Sequence, residues 1–144
     1  MISYEEFKKV EIRAGKILSA EKVPETDKLL KLSVDFGEFE ENAVVVPPIA
    51  VSPLVDDAAV SETANSTPVV QKISKPRQIV SGISLYFPDP AVLVGKTCMF
   101  VTNLEPRIIK GLQSNGMLFA VSTKDGGFSL LEPNSSIPAG TQAS

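Results

Sequence analysis

The chain is 144 residues long with 43% apolar content, enough for one domain with a real core. It has no histidine and a single cysteine, Cys98, which excludes an internal disulfide, zinc sites of the usual kinds, Ser/His triads and histidine acid/base chemistry. The formal net charge of -3 runs against a broad cationic surface, no run of about 18 apolar residues is present, and the start Met1-Ile2-Ser3-Tyr4-Glu5-Glu6 is acidic where an export signal would be basic, so a cytoplasmic chain without a membrane span is expected.

Ser3 followed by Glu6 is a capping-box pattern and predicts a short N-terminal helix through about Lys8. Lys8-Lys9 reads as a solvated helix face. From Val10 to Val23 the positions Val10, Ile12, Ala14 and Ile17 approximate alternation broken at Gly15, as in a long strand that bends or bulges there. Arg13, between Ile12 and Ala14, reads as a structural ion pair. Leu30 to Phe36 alternates strictly, which puts Leu30, Leu32, Val34 and Phe36 inward and Lys31, Ser33 and Asp35 outward.

Residues 40–76 break the pattern. They contain Pro47, Pro48, Pro53, Pro68 and Pro76, an apolar stretch Val44 to Val55 interrupted by proline, and a small-residue run around Ser61 to Thr67. Proline fixes φ and removes a donor, so an extended loop or irregular arm is expected over Val44 to Val55. The arm is too apolar for a disordered linker and is expected to be covered, by the barrel, by a second copy or by another partner. It holds five acids and two bases, which leaves twelve charges of each sign in the rest of the chain.

Strands follow at Arg77 to Ile83, Lys96 to Asn103 and Gly116 to Ser122, with a short helical turn over Pro88 to Gly95. Five short strands with one helical interruption predict an all-β fold, a five-stranded Greek-key barrel of the oligonucleotide/oligosaccharide-binding (OB) type, over a single domain spanning 1–144. Residues 122–144, with Phe128-Ser129-Leu130-Leu131 ahead of Pro133 and Pro138, form a C-terminal extension too short to fold alone. Cys98, in an apolar strand, reads as core.

Between the last two strands lies Asn103-Leu104-Glu105-Pro106-Arg107-Ile108-Ile109-Lys110-Gly111-Leu112-Gln113-Ser114-Asn115-Gly116-Met117-Leu118. Polar and basic groups mixed with turn residues read as a binding edge at the barrel rim, open to a polyanion. With two further blocks, Ile12-Arg13-Ala14-Gly15-Lys16-Ile17 with Asp27-Lys28-Leu29-Leu30-Lys31-Leu32, and Arg77-Gln78-Ile79-Val80-Ser81-Gly82-Ile83, this run resembles the tRNA-binding domain found free-standing and at the C-terminus of many methionyl-tRNA synthetases. The resemblance implies that residues 40–76 are an insertion between strands 2 and 3, that 122–144 helps form a homodimer interface, and that Asn103, Ser114 and Met117 belong to the tRNA-binding surface.

The candidates then divide by chemistry. Lys28, Lys31, Arg77 and Lys110 suit phosphate, Ser81, Asn103 and Ser114 suit ribose or base edges, and Met117 suits packing against a base. Plainer roles stand beside these: Asn103 as a cap, Met117 as core, Ser81 as part of a bend. Aromatics are sparse and Trp is absent, with Phe36, Phe39, Tyr86 and Phe119 as the candidate stacking residues, which points to recognition of folded RNA shape. The expectation is a non-catalytic, dimeric tRNA-binding protein without cofactor or metal, free-standing or auxiliary to a methionyl-tRNA synthetase catalytic subunit. The alternatives are a peptide-binding chaperone resembling CsaA and a protein assembly module.

Overall fold

The computed structural model describes residues 1–44 and 69–144. The chain divides into two compact units, Met1–Glu38 with Lys75–Ser144, and Phe39–Ser74. Among the described residues, no helix is long and apolar enough to cross a membrane.

In the first unit the capping box forms as read. Ser3 Oγ accepts from the Glu6 N–H at 3.2 Å and the Glu6 carboxylate accepts from the Ser3 N–H at 2.9 Å, closing the single turn α1 (Tyr4–Phe7). Strand β1 (Ile12–Lys22) then pairs antiparallel with β2 (Leu30–Asp35) on one side and β6 (Thr97–Val101) on the other. Strand β5 (Arg77–Ser81) adds beyond β2, and β9 (Met117–Leu118) beyond β6, in the order β5-β2-β1-β6-β9. A meander of three strands whose first also pairs with the fourth is the Greek-key connectivity of an OB-like barrel, and the fold is all-β as expected. Two 3-10 turns, Ser84–Tyr86 and Pro90–Leu93, fill the link between β5 and β6, the second capped by Asp89, whose side chain accepts from the Ala91 N–H at 3.0 Å.

The alternation of β2 holds in full: Leu30, Leu32, Val34 and Phe36 are buried beside Ile17, Ile79, Leu93, Cys98 and Phe100. The irregularity of β1 lies elsewhere than expected. Register against β2 shifts between Ile17 and Ser19, while Gly15 stays in register opposite Cys98. Gly15 answers to packing, since a Cβ there would lie 2.6 Å from both Phe36 Cε1 and Val34 Cγ1. Spacing along one strand cannot separate a bend from a close approach of the neighbouring strand's side chains.

The expected last strand is two. Strand β9 ends at Leu118, and β10 (Ala120–Ser122) pairs with β11 (Phe128–Leu130). At Phe119 the chain changes partner: its N–H donates to the Met99 carbonyl at 3.0 Å and its carbonyl accepts from the Leu131 N–H at 3.3 Å. The remainder of the tail then returns to the barrel. Strand β2 pairs with β1 only from Lys16 onward, and the exposed stretch before it is covered by residues 140–143, through Gly140 N to Ala14 O at 2.7 Å, Ala14 N to Thr141 O at 2.8 Å and Ala143 N to Ile12 O at 2.8 Å. Gly140 has φ of +92°, and a Cβ there would sit 2.5 Å from the Phe36 carbonyl oxygen, so glycine is required.

The barrel closes between β5 and a hairpin of β7 (Arg107–Ile109) and β8 (Leu112–Ser114). Asn115 N donates to Gln78 O at 2.9 Å, Gln78 Nε2 to Gln113 O at 2.9 Å, and Val80 N to Ser114 Oγ at 3.0 Å. In the second unit, β3 (Phe39–Val44) and β4 (Val69–Ser74) pair antiparallel from Phe39 opposite Ser74 to Val44 opposite Val69. The ends of the expected arm are therefore a β-ribbon. Its proline-interrupted stretch beyond Val44 and the run Ser61 to Thr67 lie outside the described residues.

Removing the Ser114 hydroxyl leaves the buried Val80 N–H without its partner. Ser114→Ala is expected to cost about 1–3 kcal/mol of stability, read as a lower denaturant midpoint, and an unchanged midpoint would mean the seam does not need the hydroxyl. Cys98 is fully buried, and burial pushes its thiol from the usual 9.0 up to about 11, with the Glu132 carboxylate adding to the rise and Lys96 opposing it. At pH 8 that depresses the thiolate fraction roughly 100-fold relative to the unfolded chain, so alkylation should proceed only after denaturant is added; rapid native-state labelling at pH 8 would contradict the burial of Cys98.

Candidate functional site

The seam brings one group of the candidate residues to a common end of the barrel. Strand β8 runs antiparallel to β5, with Asn115 at Gln78 and Ser114 at Val80, so the start of β8 and the turn before it lie toward the Ser81 end. That turn is Lys110-Gly111, with φ of +52° and +79°. A two-residue connection with positive φ at both positions is the twist-matched hairpin turn, and it presents Lys110 at an exposed tip. Ser81 is opposite Leu30, two residues after Lys28, and the Ser84 N–H donates to the Lys28 carbonyl at 3.1 Å. Lys28, Ser81 and Lys110 therefore share one rim, with Lys28 and Lys110 exposed. Lys31 lies one residue further along β2, its ammonium 2.9 Å from the Glu21 carboxylate. Both partners of that pair are solvent-exposed, so the pair is weak and opens at little cost to a phosphate.

Arg77 lies at the other end of β5 and is committed. Its Nε donates to Glu38 Oε2 at 3.0 Å, Nη2 to Glu38 Oε1, and Nη1 to the Thr102 carbonyl at 2.8 Å, with the guanidinium 5.4 Å from the centre of the Phe36 ring. The bidentate carboxylate neutralises the charge, and the residue binds β5 to the end of β6. Arg77, Glu38 and Thr102 line a groove of about 560 Å³ with Gln78, Leu104 and Asn115.

Asn103 is also engaged within the fold. Its Oδ1 accepts from the Glu11 N–H at 2.8 Å and its Nδ2 donates to the Lys9 carbonyl, so it ties the segment after α1 to the end of β6. Ser114 is 4% exposed, accepting from Val80 and donating to the Gly116 carbonyl at 3.2 Å. Met117 is 48% exposed, so it is not core. It sits opposite Val101, toward the Arg77 end and away from the Lys28 rim. Arg13 Nε lies 3.0 Å from Glu11 Oε1, the structural ion pair expected, though without the alignment of a hydrogen bond.

Two further residues join the picture, one of them a basic residue of the expected binding edge. Arg107 is exposed on β7 opposite Ser114, and its position in the binding-edge run is the signal that marks it. Glu38 lacks any local signal, because it is paired with a residue 39 positions away.

A family model described as a putative tRNA binding domain matches residues 59–142. The methionine–tRNA ligase of Methanospirillum hungatei is 39% identical over 141 residues, 98% of this chain and 15% of the ligase. That of Porphyromonas gingivalis is 32% identical over 141 residues, again 98% and 15%. The chain thus spans about 15% of the length of these relatives. Among solved structures, a MetRS-related protein from Pyrococcus horikoshii superposes with a TM-score of 0.70 at 29% identity, over 99% of this chain and 97% of that one. The chaperone CsaA of Bacillus anthracis gives 0.66 at 22% identity over 100% and 99%, a likeness of fold alone. With the family model covering more than half of its residues, the chain belongs to the putative tRNA-binding domain family.

Proposed function

We propose that the chain is a non-catalytic module that holds folded tRNA, free-standing or as an auxiliary part of a methionyl-tRNA synthetase. The observation that carries this reading is the shared rim of Lys28, Ser81 and Lys110, two exposed cations flanking a hydroxyl, one of them at a hairpin tip. The cations contact phosphate and Ser81 contacts ribose, while Lys31 joins them by leaving Glu21. Arg77, Asn103 and Ser114 act through the frame, each holding two segments together. Met117 and Arg107 offer a second contact region beyond the rim. A module of this kind raises a synthetase's hold on tRNA through effective concentration, without touching the reaction.

The module acts as a homodimer. Tyr4, Phe7 and Val10 are 71%, 49% and 41% exposed and line a groove of about 500 Å³ with Ile12 and the terminal residues 142–144. A second copy burying this face removes apolar side chains from water, and the C-terminal extension supplies part of the surface.

Titration of labelled bulk tRNA tests the binding reading. Affinity should fall with salt, and Lys28→Ala with Lys110→Ala should weaken binding and reduce the salt slope by roughly one per lysine; absence of binding at low salt in the unsubstituted protein would end the reading. Sedimentation equilibrium tests the dimer: the unsubstituted chain should run at twice its mass and Phe7→Glu at the monomer mass, and a monomeric unsubstituted chain would remove the proposal.

A further inference from the structure

The rim that carries Lys28 also carries a built aromatic surface. Tyr86 and Phe128 stack face to face, with ring centroids 4.0 Å apart and planes 9° from parallel, and Phe87 meets Phe128 edge-on at 5.7 Å and 79°. Phe87 and Phe128 pack against the buried core, whereas Tyr86 is 44% exposed. One ring face of Tyr86 is held by Phe128, so the exposure falls on the rest of the ring. The turn is fixed as well: Ser84 N donates to Lys28 O at 3.1 Å, Tyr86 N to Ile83 O at 3.0 Å and Phe87 N to Ser84 O at 3.2 Å. A tyrosine held this way loses little rotamer freedom when a flat ligand arrives.

We propose that Tyr86, braced on Phe128, is a stacking platform for one unpaired base of the bound RNA. The inference rests on the tRNA-binding reading and adds a contact of a different kind to it. An unpaired base suits the surface because every base has a π-face, and its phosphates then fall near Lys28, whose carbonyl is hydrogen-bonded two residues before Tyr86. Charge favours the same occupant. The barrel unit is close to neutral, so cationic contacts alone give limited affinity, and stacking adds attraction that does not depend on net charge.

The test uses the full chain, bulk tRNA, and the variants Tyr86→Phe and Tyr86→Leu. Phenylalanine keeps a π-face, whereas leucine keeps apolar packing on Phe128 without one. Tyr86→Phe should bind within about twofold of the unsubstituted protein and Tyr86→Leu should lose roughly 5- to 150-fold. The chain has two tyrosines and no tryptophan, so the difference between unsubstituted and Tyr86→Phe emission reports Tyr86 alone. That difference should be quenched as tRNA saturates. Binding of tRNA with Tyr86 unquenched, or with Tyr86→Leu binding as tightly as the unsubstituted protein, overturns the platform while leaving the tRNA reading intact. No tRNA binding by the unsubstituted protein overturns both.

Discussion

Closure of the barrel depends on a short seam between β5 and the β7–β8 hairpin, in which one hydroxyl stands in for a backbone partner. The antiparallel ladder from β5 through β2, β1 and β6 to β9 leaves two edges, and a curved sheet of this size must join them or expose unpaired amides. Strand β8 is too short to supply a full ladder, and it meets β5 through Asn115 N to Gln78 O and, where the backbone spacing fails, through the Ser114 side chain. The same hydroxyl donates to Gly116 O, which fixes the turn leading into β9. A Cβ on Gly116 would approach Val101 O and Ile79 Cδ1 to 3.0 Å each, so the chain crosses the seam where a side chain would crowd it. Closure then sets the direction of the β7–β8 hairpin, and with it the position of Lys110 at the Lys28 rim.

A second set of bonds completes the unpaired part of β1. Residues 140–143 run beside Ile12–Ala14, and Asn103 secures the segment just before that stretch to the end of β6. The tail, the residues after α1 and the end of β6 thus meet at one corner. Thr102 Oγ1 donates to Glu11 Oε1 at 2.6 Å, adding a bond between the same segments. Loss of one of these contacts weakens the others, because each strand end is ordered by its neighbours. The exposed Tyr4, Phe7 and Val10 are presented by this corner, so the proposed dimer face inherits its rigidity from backbone pairing by the tail.

What could be read from the residues follows from how local each cause is. Alternation in β2 and the Ser3–Glu6 box are fixed by neighbours in sequence, and both are found as expected. The OB-like connectivity is legible because short strands around one helical interruption admit few topologies. Gly15 was legible as special but not as to its reason, since Phe36 and Val34 come from another strand. The break at Phe119 depends on Leu131, whose N–H donates to the Phe119 carbonyl and whose carbonyl accepts from the Met99 N–H, while the Phe119 N–H stays on Met99 of β6. For Asn103, Ser114 and Arg77, residue type marks the capacity to hydrogen-bond, but the partner is set by which backbone groups and carboxylates the fold leaves unpaired. Lys28, Ser81 and Lys110 share a rim only once β8 is in register with β5.

The division between held and open polar groups bears on how a chain with a net charge of -3 would address the polyanion proposed as its ligand. Arg77 is neutralised by Glu38, Lys31 faces Glu21, and Lys96 lies 3.3 Å from Glu132, so part of the basic content is already spent on acids. Lys31 and Lys96 are exposed enough to exchange partners with little loss, whereas Arg77 is locked by three hydrogen bonds and an aromatic ring. A few exchangeable cations attract any phosphate weakly, and they discriminate poorly among RNAs. In the proposed RNA complex, selectivity then comes from geometry: cations at fixed spacing on a closed barrel and the proposed aromatic platform beside them. Such a surface fits a folded RNA with a base already turned outward better than a regular duplex, whose bases are stacked and whose deep groove excludes side chains.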